Sequence, residues 1–388
     1  GAGGSTTITP GVFFQQVTTQ QADVSQPWAG SLELYITPWG FLKGAADNNA
    51  TVSHKKVDGK SYTVLSWSPA VKAPSGKSYM INGYIDDKNM VDRVETWLGE
   101  NIMGDMHIVA TYSGWKDFAG AMAPTKIVQT RGGWPFFQVD VTDAKANPPD
   151  VASLVPPPAA RPGGFPPAGP LTVTSEKLGD GLYRLTTGPG SYDSVIVEFK
   201  DYVMMLEAGQ SIARGEAYIA ETKKLIPNKP IRYVMNTHPH SDHTGGLPAL
   251  VAEGAIVITQ KNNVEFLDRA LNTPRTLLTD QLAQHPRKAK IEAVEEKKVY
   301  SDGTRTVEMY HIYPAPHSNG LIIAFIPKEK VLFQGDFSVI PGEPANDHVK
   351  ALVPVLERLN LDFDRYINVH VSAAPQHKED VWKAYGKS

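Results

Sequence analysis

At 388 residues the chain is long enough for more than one domain and for a sizeable core. Its formal net charge of −3, without a long basic run, argues against a nucleic-acid surface, and no apolar run approaches the roughly 18–20 residues that span a bilayer. Cysteine is absent, which excludes disulfides, thiolate ligands and a cysteine nucleophile, so a metal site here must be built from histidine and carboxylate.

The chain opens on "GAGGSTTITP", without a start methionine and without a signal-peptide pattern. A mature or trimmed form is expected, with any export signal out of view and a periplasmic or secreted location. The first half reads as strands. "SYTVLSW" (61–67), "MHIVATY" (106–112), "TKIVQT" (125–130) and "FFQVDVT" (136–142) are short, β-branched and aromatic. Gly132–Gly133 sits between two of them, and Asp58–Gly59 is a second turn signal. Helical periodicity is scarce before residue 148. The expectation is a mainly antiparallel, curved sheet over 1–147. Its aromatic residues Trp67, Trp97, Trp115, Trp134, Phe136 and Phe137 are candidates to line an apolar groove.

From Pro148 to Pro170 the chain reads "PPDVASLVPPPAARPGGFPPAGP". So much proline forbids a continuous helix or a central strand, and the segment 148–170 is expected to be a semi-rigid linker. Beyond it, over 171–388, strands and helices alternate. "LYRLT", "SVIVEF" and "YVMMLEAG" lead into the helical pattern "IARGEAYIAETKKLI". The strands "IRYVMN", "AIVIT", "TVEMYHIY", "GLIIAFI" and "KVLFQGD" and the helix "HVKALVPVLERL" follow. Two sheets with helices outside account for this order, so the fold class expected is α+β.

The densest polar signal is "NTHPHSDHTGG", 236–246, directly after "IRYVM". His238 and His240 are two apart on an extended segment, so their side chains face the same way and can converge on one cation. Asp242 and His243 follow at a bend that can aim both at a second position. Zinc favours imidazole and carboxylate when thiolates are missing.

"THPHSDHTGG" resembles the signature loop of the metallo-β-lactamase superfamily, and the resemblance runs from about Leu171 to the C-terminus. It implies an αββα sandwich with metals at the ends of the sheets. It also implies three further ligands downstream. "YPAPHSNG" offers His317, "EKVLFQGDFS" offers Asp336, and "DRYINVHVS" offers His370. On this reading His238, His240 and His317 hold one metal, Asp242, His243 and His370 hold a second, and Asp336 lies between. Two places depart from the family pattern: Glu207 stands in "MLEAG" where an aspartate is usual, and Val371 follows His370 where glycine is usual. His311, in "MYHIY", is a rival for His317 that reads better as a strand residue. Before the linker, "NGYIDDKNMVDRVETW" and "GDMHIVATYSGWKDFAGAMAPTKIVQ" resemble, more loosely, the sheet repeats of periplasmic lipoprotein-carrier proteins.

The resemblance implies an enzyme: a hydrolase with two Zn2+ per chain, or Mn2+ or Fe2+. A hydroxide held by the metals would attack an ester or lactone carbonyl, and Asp242 would orient the water or relay its proton. No G-x-S-x-G elbow of a serine hydrolase is present. β-Lactam or thioester hydrolysis fits the same metal chemistry, as does a single-iron persulfide dioxygenase. The histidine at 240 speaks against the di-iron oxygen reductases, which carry a carboxylate there. A protein that binds an apolar ligand through its first sheet is the alternative of a different class. The partner expected is a small-molecule substrate.

Overall fold

The computed structural model describes residues 2–9, 12–19, 28–146, 149, 171–188, 192–340, 343–370 and 376–387, and only the backbone of the first two stretches. Of the expected linker, only Pro149 falls among the described residues. The chain divides into two units, Gly1–Pro166 with Pro274–Thr279, and Pro167–Thr273 with Asp280–Ser388.

The first unit begins with a hairpin, β1 (Ala2–Thr9) and β2 (Val12–Thr19), followed by helices α1 (Ala29–Tyr35) and α2 (Pro38–Asp47). Then come β3 (Thr51–Val57), β4 (Lys60–Trp67), β5 (Ile81–Ile85), β6 (Val91–Glu100), β7 (Gly104–Ser113), β8 (Lys116–Phe118), β9 (Ala121–Ala123), β10 (Lys126–Arg131) and β11 (Trp134–Asp140). A seven-stranded sheet runs β11-β10-β7-β6-β5-β4-β3, every pair antiparallel. Its β3–β4 and β10–β11 hairpins turn on Asp58–Gly59 and Gly132–Gly133. All four residues have positive φ, as a tight two-residue turn between right-twisted strands requires.

The two helices are not legible as a periodic pattern. Their local signal is Thr37, whose side chain accepts from the Gly40 N–H at the start of α2, with Pro38 at the first helical position. They pack on one sheet face in a single apolar cluster holding Trp28, Leu32, Phe41, Trp67, Ile81, Val94 and Ile108. Trp28 Nε1 donates to Thr96 Oγ1 at 3.2 Å, and Tyr112 donates its hydroxyl to Ile36 O at 2.5 Å, which satisfies the polar tips of these two core aromatics. Trp67 is therefore a core residue beneath the protein's own helices, whereas Phe136 and Phe137 are 52% and 38% exposed. The segment Pro274–Thr279 completes this unit: Leu277 is buried in the same cluster, and Asp105 accepts from the N–H groups of Thr276 and Leu277 at 2.8 and 2.9 Å.

The second unit is an αββα sandwich. Its first sheet comprises β12 (Thr172–Gly179), β13 (Leu182–Gly188), β14 (Tyr192–Glu198), β15 (Val203–Leu206), β16 (Ile231–Met235), β17 (Ile256–Gln260) and β18 (Ile291–Val294), in that order. Pairing is antiparallel up to β15 and parallel from there on. The second sheet runs β19 (Lys297–Ser301), β20 (Thr306–His311), β21 (Ile322–Ile326), β22 (Val331–Gln334), β23 (Arg365–Asn368) and β24 (Gln376–His377).

The inner faces meet in one cluster, with Val195, Leu206, Met235 and Ile258 from one sheet and Met309, Ala324, Phe333 and Ile367 from the other. Strands buried on both faces explain the unbroken apolar runs "VMML", "IIAFI" and "VLF". Helices α3 (Ile212–Leu225) and α5 (Leu247–Glu253) lie against the first sheet, with the single turn α4 (Ser241–Thr244) between them in sequence. On the second sheet's outer face sit α8 (Asp347–Leu359) and α9 (Lys378–Ala384). The region 262–298, irregular by sequence, contains α6 (Val264–Leu271), α7 (Gln281–Gln284) and the Pro274–Thr279 segment assigned to the first unit.

Candidate metal centre

The parallel strand β16 ends at Met235, and the chain leaves the sheet in extended form through Asn236, Thr237 and His238 to His240, which starts α4 with ψ 151°. That geometry sets His238 and His240 side by side, with ring centroids 4.6 Å apart. The turn of α4 then carries Asp242 and His243. Asn236, fully buried, donates from Nδ2 to the carbonyls of His238 and His243 at 2.8 and 3.1 Å, which ties both ends of the loop together. The two glycines that follow permit close backbone approach. A Cβ on Gly245 would lie 2.1 Å from Gln210 O, and one on Gly246 would lie 2.0 Å from Ala208 O.

The remaining candidates arrive from loops at strand ends. His317 lies between β20 and β21, Asp336 two residues past β22, and His370 two residues past β23. The structure brings all seven together in two adjoining groups, one holding His238, His240, His317 and Asp336, the other Asp242, His243 and His370. Asp336 lies between them. Its Oδ2 is 2.7 Å from His317 Nε2 and 3.5 Å from His238 Nε2, while its Oδ1 is 2.8 Å from Nε2 of both His243 and His370. His311 is elsewhere, at the end of β20, with Nε2 3.1 Å from Asn319 O.

Glu207 follows β15 and is fully buried, with φ +77. Its Oε2 accepts from the Thr237 hydroxyl at 2.5 Å and faces His243 Nδ1 at 3.2 Å. A carboxylate at Nδ1 holds the proton there and leaves the Nε2 lone pair of His243 turned to the centre. Thr237 extends the same logic. Its proton goes to Glu207, so its oxygen accepts from His238 Nδ1 at 3.2 Å, and His238 also presents a bare Nε2.

The Nε2 atoms of four of the imidazoles are turned towards one another. His238 Nε2 and His317 Nε2 are 3.0 Å apart, and His243 Nε2 and His370 Nε2 are 2.9 Å apart. Asp336 Oδ1 is buried between two imidazoles without the alignment of a hydrogen bond. Imidazole nitrogens and carboxylate oxygens gathered this closely are the donors that divalent cations such as Zn2+ take in the absence of thiolates, so the donor set fits divalent cations.

The proton affinities point the same way. Burial opposes charge on His243, but Asp336 and Glu207 outweigh it and push its pKa up to about 10. Burial and the neighbouring imidazole of His243 push His238 down to about 2. Burial would raise the Asp336 carboxyl, yet the histidines around it hold it well below the usual carboxylate range. The carboxylates thus favour positive charge at His243, which a divalent cation taking the place of its Nε2 proton would also supply.

Two neighbours escaped the sequence reading. Tyr192, at the start of β14, donates its hydroxyl to Asp242 Oδ2 at 3.3 Å, and its ring meets His370 edge-on at 4.9 Å. His348, in the first turn of α8, has its ring 4.8 Å from that of His317. Neither stands in a motif, and no spacing in the sequence links them to the loop at 236–246.

Residues 187–375 match the family model of the metallo-beta-lactamase superfamily. Among solved structures the chain is similar to a metallo-beta-lactamase from Pontibacter korlensis, at 14% identity and a TM-score of 0.43, over 54% of this chain and 95% of that one. It is likewise similar to a metallo-beta-lactamase from Hirschia baltica, at 23% identity and a TM-score of 0.41, over 55% and 95%. A curated relative, the 2,4-dinitroanisole O-demethylase subunit alpha of Nocardioides sp. (strain JS1661), is 23% identical over 205 residues, 51% of this chain. The match spans 58% of that relative's length.

Proposed function

We propose, from the match of residues 187–375 to the metallo-beta-lactamase superfamily model, that the protein is a metal-dependent hydrolase and that it hydrolyses carboxylic esters or lactones at a two-zinc centre. The observation that carries the reading is the convergence of five imidazoles and the carboxylate of Asp242 around Asp336. His238, His240 and His317 would hold one ion, and Asp242, His243 and His370 the other, with one oxygen of Asp336 turned to each. Bound there, zinc supplies Lewis acidity that ionises water near neutral pH and polarises a carbonyl oxygen.

The chain's own groups do the rest. Glu207 and Thr237 keep His238 and His243 in the tautomer that leaves Nε2 free. Asp242, with a third of its side chain exposed, is open to orient a water and take its proton. The charge balance suits a carbonyl substrate. Two divalent ions against Asp242 and Asp336 leave a positive centre for the oxyanion that develops on attack. At its border two further rings stand on the histidines, Tyr192 on His370 and His348 on His317. Such a border favours an uncharged ester or lactone.

The test pairs elemental analysis with a substrate panel of esters, lactones, a cephalosporin, a thioester and an aryl methyl ether. The ether is included because the curated relative is named for an O-demethylation. Close to two zinc ions per chain are expected, with ester or lactone turnover abolished by chelation and restored by zinc. Less than about half an ion, with no gain on adding zinc, defeats the metal reading. Turnover confined to another member of the panel replaces the substrate assignment alone.

A further inference from the structure

We infer that Tyr192 is a positioning residue that braces the half of the cluster formed by Asp242, His243 and His370, and that it sets how tightly that half holds its cation. The inference rests on the two-metal reading above.

Three contacts make the brace. The Tyr192 hydroxyl donates to Asp242 Oδ2 at 3.3 Å, and its ring lies edge-on to His370, with centroids 4.9 Å apart and planes at 71°. The next residue acts through the backbone: the Asp193 N–H donates to the carbonyl of Val369, the residue before His370, at 2.9 Å. One dipeptide at the start of β14 therefore touches two of the three candidate ligands of this half.

Tyr192 is itself held. The Tyr218 hydroxyl donates to its carbonyl at 2.6 Å. The Arg214 guanidinium lies 5.0 Å from its ring centroid and donates from a terminal nitrogen to Thr187 O at 3.1 Å. Both Tyr218 and Arg214 are buried and sit on α3, a full-length helix packed against the first sheet. The brace thus transmits the rigidity of the helix and sheet to two side chains that lack it.

The two halves differ in their need for this. Each has one fully buried imidazole fixed from behind, His238 by Thr237 and His243 by Glu207, but in the first half His317 and Asp336 are only 16% and 15% exposed. In the second, Asp242 stands on a single helical turn with 34% of its side chain exposed, and His370 is 28% exposed. Without the phenol, the carboxylate of Asp242 can rotate to solvent, and the cation then meets a ligand that must be ordered on binding.

The test titrates zinc into the chelator-stripped full chain against a chromophoric competitor, for the wild type, Tyr192→Phe and Tyr192→Ala. Tyr192→Phe keeps the ring and removes the hydroxyl, and one of the two binding steps is expected to weaken about 10-fold, with the other nearly unchanged. Tyr192→Ala removes both contacts, and the same step is expected to weaken towards about 100-fold. The thermal midpoint of stripped Tyr192→Phe should match the wild type, which makes that variant decisive if Tyr192→Ala does not fold. Two zinc ions in the wild type with both steps unchanged in Tyr192→Phe, or with both steps weakened alike, overturn the brace alone. Fewer than two ions in the wild type defeat the two-metal reading, and the brace with it.

Discussion

The hydroxyl of Thr237 lies 2.5 Å from Oε2 of Glu207, a residue on a different strand end, and the same oxygen of Glu207 faces Nδ1 of His243. One carboxylate thus sets the hydrogen-bonding pattern of two histidines, directly for His243 and through Thr237 for His238. Glu207 reaches this position with φ +77, a backbone conformation that costs of order 1–3 kcal/mol for a residue with a side chain. Thr237→Val should break the relay and lower zinc affinity by roughly 10–100-fold, whereas Thr237→Ser should restore it. Competition with a chelator measures both variants, and an unchanged affinity in Thr237→Val would remove the relay from the account.

His240 and His311 offer a contrast between two histidines outside the buried core of the site. His240 lies beside His238 and His317, with ring centroids 4.6 and 4.5 Å away, while His311 bonds to the backbone of Asn319. His240→Ala is expected to reduce zinc content and abolish turnover. His311→Ala is expected to leave both unchanged. Elemental analysis decides, and loss of metal in His311→Ala alone would reassign the ligand.

In the first unit, Glu95 accepts from Asn82 Nδ2, the Tyr84 hydroxyl and His107 Nε2 at 3.2, 2.9 and 3.0 Å. Burial would raise its pKa, but these donors outweigh it and hold the carboxyl below its usual value. A depressed folded-state pKa gives stability that is present above the unfolded value, near 4.5, and lost as pH falls through the folded one. Glu95→Gln should therefore cost about 2 kcal/mol at pH 7, with the gap to the wild type closing below about pH 4. Denaturation curves at both pH values check the sign, and a gap that widens in acid would refute it.

Leu277 belongs to the core of the first unit although it follows the last strand of that unit at a great distance in sequence. Asp105 fixes its backbone by accepting two N–H groups, and donates its own N–H to Pro274 O at 2.7 Å. Leu277→Ala should destabilise this unit by about 2–5 kcal/mol. Six of the seven tryptophans precede residue 148, so fluorescence during denaturation reports the change. An unaltered midpoint would show that the segment contributes nothing to that core.

Local geometry explains what could be read from residue order. The spacing of His238, His240, Asp242 and His243 has a meaning within a few ångströms of chain, because alternation on an extended segment and one helical turn aim the side chains before any tertiary contact forms. Asp58–Gly59 and Gly132–Gly133 are equally local, since only residues tolerant of positive φ close such turns. The apolar runs "VMML", "IIAFI" and "VLF" belong to strands buried on both faces, and the order in which such strands alternate with helical patterns made two sheets with helices outside legible. The tertiary structure decided the rest. The helices over Ala29–Tyr35 and Pro38–Asp47 are short and become stable by burying Trp28 and Phe41 on a sheet that forms later in the chain. Pairing of Glu207 with Thr237, of Tyr192 with Asp242, and of Asp105 with Leu277 depends on which strand ends and loops close in space. No periodicity encodes such partners, because each is chosen by the burial of a polar group that must find a hydrogen bond wherever the fold places one.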